Sequence, residues 1–222
     1  MRTSTCLLAF LSTFANFSAD AQPAPCVKGI EAFQKSSYEQ ALPALSECLT
    51  LDNPVRAKSF VLQARAESHY RIGNFSDAAA DQRESIRLVD PADVWSHVKL
   101  GIYLRDAGRH DESLSALREA LKYDEDGVGT GPGMAVYYHT AITLHRTKRF
   151  SEAIEAVTKG IPKQPDYGPA LYQRALAYEA LGDQTQAKRD LFRVMELEPK
   201  EGYEPEIVAK LKEYGFTPRS TQ

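Results

Sequence analysis

The residues able to do chemistry in this sequence are few, and their spacing argues against a reaction centre. Five histidines, His69, His97, His110, His139 and His145, could ligate a metal or carry a proton. None forms His-Glu-x-x-His, none stands near a cysteine at ligand spacing, and His139 and His145 fall on opposite sides of a helix. The carboxylates Glu39, Asp77, Asp111, Glu112, Glu152 and Asp183 lie at turns and at expected helix starts, where their charge suits the helix dipole better than an acid–base pair. Gly127-Val-Gly129-Thr-Gly131-Pro-Gly133 precedes a helix beginning near Met134, and a glycine-rich loop opening a helix can cradle an anion. No strand pattern precedes it and no Gly-Lys-Ser/Thr follows, so it reads as an insertion, residues 126–133, between two helical segments. No nucleophile elbow or local serine–histidine–aspartate signature occurs. The sequence predicts no catalytic residue, no metal and no cofactor.

Composition narrows the class. The chain has 222 residues, 26% of them charged, with a net charge of −3, which supplies no overall positive field for nucleic acid. That charge content also excludes an integral membrane bundle. Arg2 is followed by an uncharged run from Cys6 to Phe17 and then by Ala19-Asp20-Ala21. A basic end, a short apolar stretch and a small-x-small site predict a secretory leader over residues 1–21, hence a periplasmic or secreted protein with no integral membrane span in the mature chain. Of the three cysteines, Cys6 falls in that leader, while Cys26 and Cys48 remain as an even pair in an oxidising compartment.

The elements that would hold any site are helical and repeated. Five segments read alike, the fifth most clearly: Ala175-Leu-Ala-Tyr178, Gly182-Asp183, Ala187, Leu191, Val194, then Leu197-Glu-Pro199. Small residues recur at Ala41, Ala78, Ser113, Ala153 and Ala187, separated by 37, 35, 40 and 34 positions. Leu171, Ala175 and Tyr178 share one helical face, as do Ala187, Leu191 and Val194. Gly108 and Gly182 supply turns that a Cβ would disfavour, and Asp90-Pro91 reads as a helix start.

These segments resemble the tetratricopeptide repeat family, whose unit is a helix–turn–helix of about 34 residues with small residues where the paired helices touch. The resemblance covers residues 22–199, with repeats at 22–55, 59–91, 94–126, 134–167 and 168–201. It departs from the family pattern in three ways. The first-helix tryptophan slot is never tryptophan, Lys148 stands where glycine is usual, and only the fourth and fifth repeats end in proline. The implied fold is all-α: a right-handed superhelical stack of five helical hairpins, since each hairpin leaves an apolar face that needs a neighbour. Residues 203–216 read as a capping helix started by Pro205, striped by Ile207, Val208 and Leu211, and closed by Gly215-Phe216; residues 217–222 read as a frayed tail.

In an antiparallel hairpin, contacting residues mirror about the turn. Around Ser37, Phe33 mirrors Ala41, Gly29 mirrors Leu45, and Cys26 mirrors Cys48. The two cysteines should therefore meet, and a disulfide there would staple the first hairpin, whose outer face has no neighbour. The alternative is two buried free thiols.

The resemblance implies a concave groove lined by first helices, binding a peptide or helix of another protein. Slots opposite the packing face are Phe60, Gln63, Ala64, Glu67, Tyr70 and Arg71 in the second repeat, and Trp95, Val98, Lys99, Ile102, Arg105 and Asp106 in the third. The fourth offers Ala135, Tyr138, His139, Ile142, His145 and Arg146, and the fifth Pro169, Tyr172, Gln173, Leu176, Glu179 and Ala180. The expected site is the cationic and aromatic subset Tyr70, Arg71, Trp95, Lys99, Arg105, Tyr138, His139, His145, Arg146 and Tyr172, suited to a partner with acidic and apolar side chains. The lysine–asparagine clamp by which some members hold a terminal carboxylate is not implied, because Cys26 and Ile30 occupy its slots. The expected function is a non-enzymatic assembly or adaptor factor. An inhibitor or immunity-type protein blocking a toxin or enzyme, and an enzyme with a site near the glycine-rich loop, remain as alternatives.

Overall fold

The computed structural model describes residues 23–89, 94–122, 133–197 and 203–217. The expected leader, the Asp90-Pro91 helix start, the insertion up to residue 132, Pro199 and residues 218–222 lie outside them. All regular structure among the described residues is helical. The chain divides into two compact units, Met1–Pro91 and Ala92–Gln222.

In the first unit, α1 (Ala24–Gln34) pairs with α2 (Tyr38–Thr50), and α3 (Val55–Arg71) pairs with α4 (Phe75–Leu88). Helix α3 packs on both α1 and α2, closing a core of Cys26, Ala41, Leu45, Cys48, Val61 and Ala64. The helix α3 starts at Val55, earlier than the expected repeat boundary at 59. Pro54 sits just before it at φ −55° and ψ 146°, a conformation that ends the preceding loop and starts a helix at the next residue.

The second unit contains the hairpins α5 (Val94–Asp106) with α6 (His110–Lys122), α7 (Met134–Arg146) with α8 (Phe150–Gly160), and α9 (Gly168–Ala180) with α10 (Gln184–Glu196). A short 3-10 turn, Ile161–Lys163, follows α8, and α11 (Pro205–Glu213) comes last. Helix α7 packs on α5 and α6, and α9 on α7 and α8. Leu211 of α11 is fully buried against Leu171, Tyr172, Leu191 and Val194, with Ile207 and Phe216 beside it, as the amphipathic pattern of 203–216 predicts.

Backbone proximity explains the small residues. A Cβ on Gly29 would lie 2.8 Å from Leu45 Cδ2, and one on Gly101 would lie 2.7 Å from Leu117 Cγ. Ser113 replaces alanine at its slot and still fits, because its hydroxyl donates to the Gly101 carbonyl at 2.7 Å across the hairpin.

Every hairpin turn, and the end of α11, closes in the same way. One residue takes positive φ, and the next amide donates to a carbonyl five residues back at 2.8–2.9 Å: Ser37 to Ala32, Asn74 to His69, Arg109 to Leu104, Arg149 to Leu144, Asp183 to Tyr178 and Phe216 to Leu211. At two turns the left-handed residue is not glycine: Ser36 has φ 57° and Lys148 has φ 59°. A side chain there costs about 1 kcal/mol in Cβ–carbonyl crowding. Lys148→Gly should therefore raise stability by several tenths of a kcal/mol up to about 1 kcal/mol, the gain being trimmed by glycine's larger unfolded-state freedom. Paired thermal melts of the two proteins measure it; an unchanged or lower midpoint would contradict this account.

Candidate functional site

The second unit's first helices each carry a stripe opposite or beside the packing face: Trp95, Lys99 and Ile102 on α5, His139, Ile142 and Arg146 on α7, and Gln173 and Leu176 on α9, at the three- and four-residue intervals that share a helix face. Trp95 and Arg146 are exposed, the others are half-buried, and Ile102 and Leu176 pack partly against the cores. Trp95 is 50% exposed, an unusual state for so large an apolar side chain.

Where α5 meets α7, a charged cluster spans the two helices. Arg105 forks onto Asp106, Nε to Oδ1 at 3.0 Å and Nη2 to Oδ2 at 3.0 Å. Arg146 Nη1 approaches the same Oδ1 at 2.8 Å. Arg105 Nη1 stands 3.3 Å from His139 Nδ1. A guanidinium only donates, so Nδ1 accepts and the ring proton resides on Nε2. Tyr138 stacks at 5.0 Å on His139 and edge-on to Tyr167 at 5.6 Å. Toward α11 the character changes: Lys210 bridges Glu179 at 3.0 Å and Glu213 at 2.8 Å, and the Tyr214 hydroxyl donates to Glu179 at 3.0 Å.

Burial first, and the Arg105 charge second, depress His139 from 6.5 to about 4. The folded protein thus excludes a proton that the unfolded chain accepts. The contribution is fully present above pH 6.5 and is lost as pH falls towards 4. Between pH 7 and pH 5 this group should remove about 2 kcal/mol of stability. His139→Asn, which keeps an acceptor for Arg105, should abolish that part of the slope in urea titrations; an equally steep profile in the variant would assign the acid sensitivity elsewhere.

Several expected groove residues are placed differently. Arg105 is 7% exposed and Tyr172 5% exposed, and Val98 is also buried, because the next first helix of the unit, or α11, covers that flank of the stripe. Arg105 therefore serves as an internal brace, not an open cation. His145 turns its ring against Phe150 at 5.1 Å, towards the hairpin's own second helix. In the first unit, Ala64 is buried in the core, Tyr70 stacks on Phe75 at 5.5 Å, and Arg71 Nε donates to Glu67 at 2.6 Å. Of the expected residues, Arg105, Tyr138, His139 and Arg146 are brought together around Asp106, while Trp95 and Lys99 share a face of α5. Among the described residues, no group of three histidine, cysteine or acidic side chains is placed to hold a metal, and no helix is long and apolar enough to cross a membrane.

A model of the tetratricopeptide repeat matches residues 98–168, and a second model of that repeat matches residues 169–200. The chain belongs to the tetratricopeptide repeat family. No curated protein matches it. Solved tetratricopeptide repeat structures share its fold at low identity. A crystal structure of MamA protein is 20% identical, covering 87% of this chain and 94% of that one with a TM-score of 0.65. YrrB, described as a TPR protein with an unusual peptide-binding site, is 14% identical over 92% of this chain and 98% of its own, TM-score 0.64. PilW, described as a widely conserved type IV pilus biogenesis factor, is 17% identical over 86% and 83%, TM-score 0.67.

Within this tetratricopeptide repeat protein, two polar clasps escape the helical periodicity of the sequence. Arg65 forks onto Asp81, both bonds 2.7 Å, and its third nitrogen reaches Ser46 at 3.1 Å. Arg174 does the same with Asp190, both 2.7 Å, and Thr158 at 3.1 Å. Each arginine immediately precedes the small first-helix residue, and each aspartate lies three after the small second-helix residue, so the common spacing of 16 was a usable signal. Each clasp ties a hairpin to the second helix of the hairpin before it.

Proposed function

We propose that this chain is a non-enzymatic adaptor or assembly factor that binds a segment of another protein along the first-helix stripes of α5 and α7, in the periplasm or outside the cell. The observation that carries the reading is Trp95, half exposed on the α5 face it shares with Lys99 and Ile102, together with the exposed Arg146 on the adjoining helix α7. Aromatic and arginine side chains held in the open are the usual anchors of protein interfaces. YrrB, a TPR protein with an unusual peptide-binding site, and PilW, a type IV pilus biogenesis factor, support the same class. Export is supported by the leader pattern in residues 1–21 and by a cysteine pair within bonding distance in the first hairpin.

The test is affinity capture from an oxidising extract with the full chain, followed by the same capture with Trp95→Ala combined with Arg146→Glu. A stable protein partner lost with the double variant, but kept with Lys188→Glu on α10, supports the stripe. A partner retained by the double variant refutes it. N-terminal sequencing of the exported protein tests the leader: a start other than Gln22 overturns that boundary.

A further inference from the structure

The cluster between α5 and α7 has an asymmetry that bears on which partner the stripe accepts. Arg105 and Asp106 are largely enclosed, with side chains 8% and 11% exposed, whereas the Arg146 side chain is 47% exposed. Arg146 is fastened to Asp106 through Nη1, and no second carboxylate pairs with it among the described residues. A guanidinium fixed at one edge with the rest of its plane outward has already lost much of the freedom that binding a carboxylate would otherwise cost. Two guanidiniums and Lys99 stand against one carboxylate on these two helices, so the α5–α7 half carries surplus positive charge. The opposite end holds Glu179, Glu206 and Glu213 with Lys210, which disfavours acidic groups there.

We propose that Asp106 is a positioning residue that presets Arg146 to receive a carboxylate of the partner, with Lys99 taking a second one; this rests on the stripe being the binding surface. Lys99 and Asp106 are seven residues apart on α5, about 10 Å along the axis, which is about one three-residue turn of polyproline II chain, whose every third side chain returns to the same face. Ile102 and Ile142 lie between them in position on the two helices. The segment recognised is therefore an extended one of the form acid-x-x-acid with an apolar side chain between the acids.

The experiment is selection of a random dodecapeptide display library on the full chain with Cys26 and Cys48 oxidised, followed by affinities of the enriched peptides. Enriched peptides should share the two acids at that spacing. Arg146→Ala should weaken them by about tenfold or more, and Arg146→Lys should not rescue, because a point charge lacks the fork. Asp106→Asn distinguishes positioning from mere charge. It removes a negative group, so simple electrostatics predicts tighter binding of an acidic peptide, while loss of the preset fork predicts weaker binding. Should Asp106→Asn melt early, Arg146→Ala, a partly exposed substitution, decides the matter alone. Peptides enriched without acids, tighter binding by Asp106→Asn, or an acid preference unchanged in Arg146→Ala each overturn this inference while leaving the stripe standing. No enrichment over the heat-unfolded chain overturns the stripe itself.

Discussion

Arg174→Leu should destabilise the protein by about 3 kcal/mol, and adding Asp190→Ala should return most of that loss. The Arg174 and Asp190 side chains are 16% and 6% exposed, so deleting the arginine strands a carboxylate where water hardly reaches it. The forked pair at 2.7 Å satisfies that charge, but its attraction was obtained by removing both ions from water. Replacing both partners removes the stranded charge along with the bond. The protein itself contains the comparison. In the third hairpin, the two equivalent places hold Leu100 and Ala116, both buried, and that hairpin closes as the others do. Urea unfolding of the two single variants and the double variant, followed by circular dichroism, closes the cycle. A double variant as unstable as Arg174→Leu alone would mean that the clasp contributes net stability, and the apolar equivalence would fail. Arg65 and Asp81 provide an independent repetition in the first unit.

The second large effect concerns the first hairpin. Replacing Cys26 and Cys48 together by alanine, or reducing them, should cost about 3 kcal/mol in the chain-entropy account of a closed loop. Their Cα atoms are 4.8 Å apart and 22 residues separate them. Helix α1 has little else to hold it. It is 11 residues long, has no side-chain cap, and contributes only Cys26 and Gly29 as buried residues. Helices of that length are marginal on their own in water. Loss should thus concentrate in α1, read as faster amide hydrogen exchange from Ala24 to Gln34 with little change in the second unit. Equal protection of α1 in oxidised and reduced protein would show that packing on α3 alone suffices.

Much of this was legible in the residues, for reasons that also explain the misses. The Cys26–Cys48 approach follows from the mirror symmetry of a hairpin, a two-body relation that spacing alone determines. The turns were legible at Gly108 and Gly182, and the same register places Lys148 in the left-handed slot although it lacks the residue that slot prefers. A helical wheel, by contrast, identifies the face opposite the packing stripe without saying how much of its flank the next helix will cover. Arg105, Tyr172 and Val98 fell into that margin. The clasps involve three helices each, joining Ser46 to Arg65 and Asp81, and Thr158 to Arg174 and Asp190; the arginine–aspartate spacing of 16 recurs, but the hydroxyl from the third helix stands 19 positions from one arginine and 16 from the other, so spacing did not report the whole contact. Asp106 was placed on the stripe by its spacing, but its two arginine partners come from different helices, so its positioning part emerged only with side-chain geometry.

Helix α11 reaches Glu179 of α9 through Lys210 and Tyr214, touches α10, and ends in the same left-handed turn at Gly215 that elsewhere launches a second helix. It is thus built like the first helix of a repeat, seated on α9 and α10 as α9 is seated on α7 and α8. The interaction surface of α9 is thereby bounded on one flank by a helix that borrows the repeat's own packing rule, so widening that surface there would mean displacing Leu211 from its core.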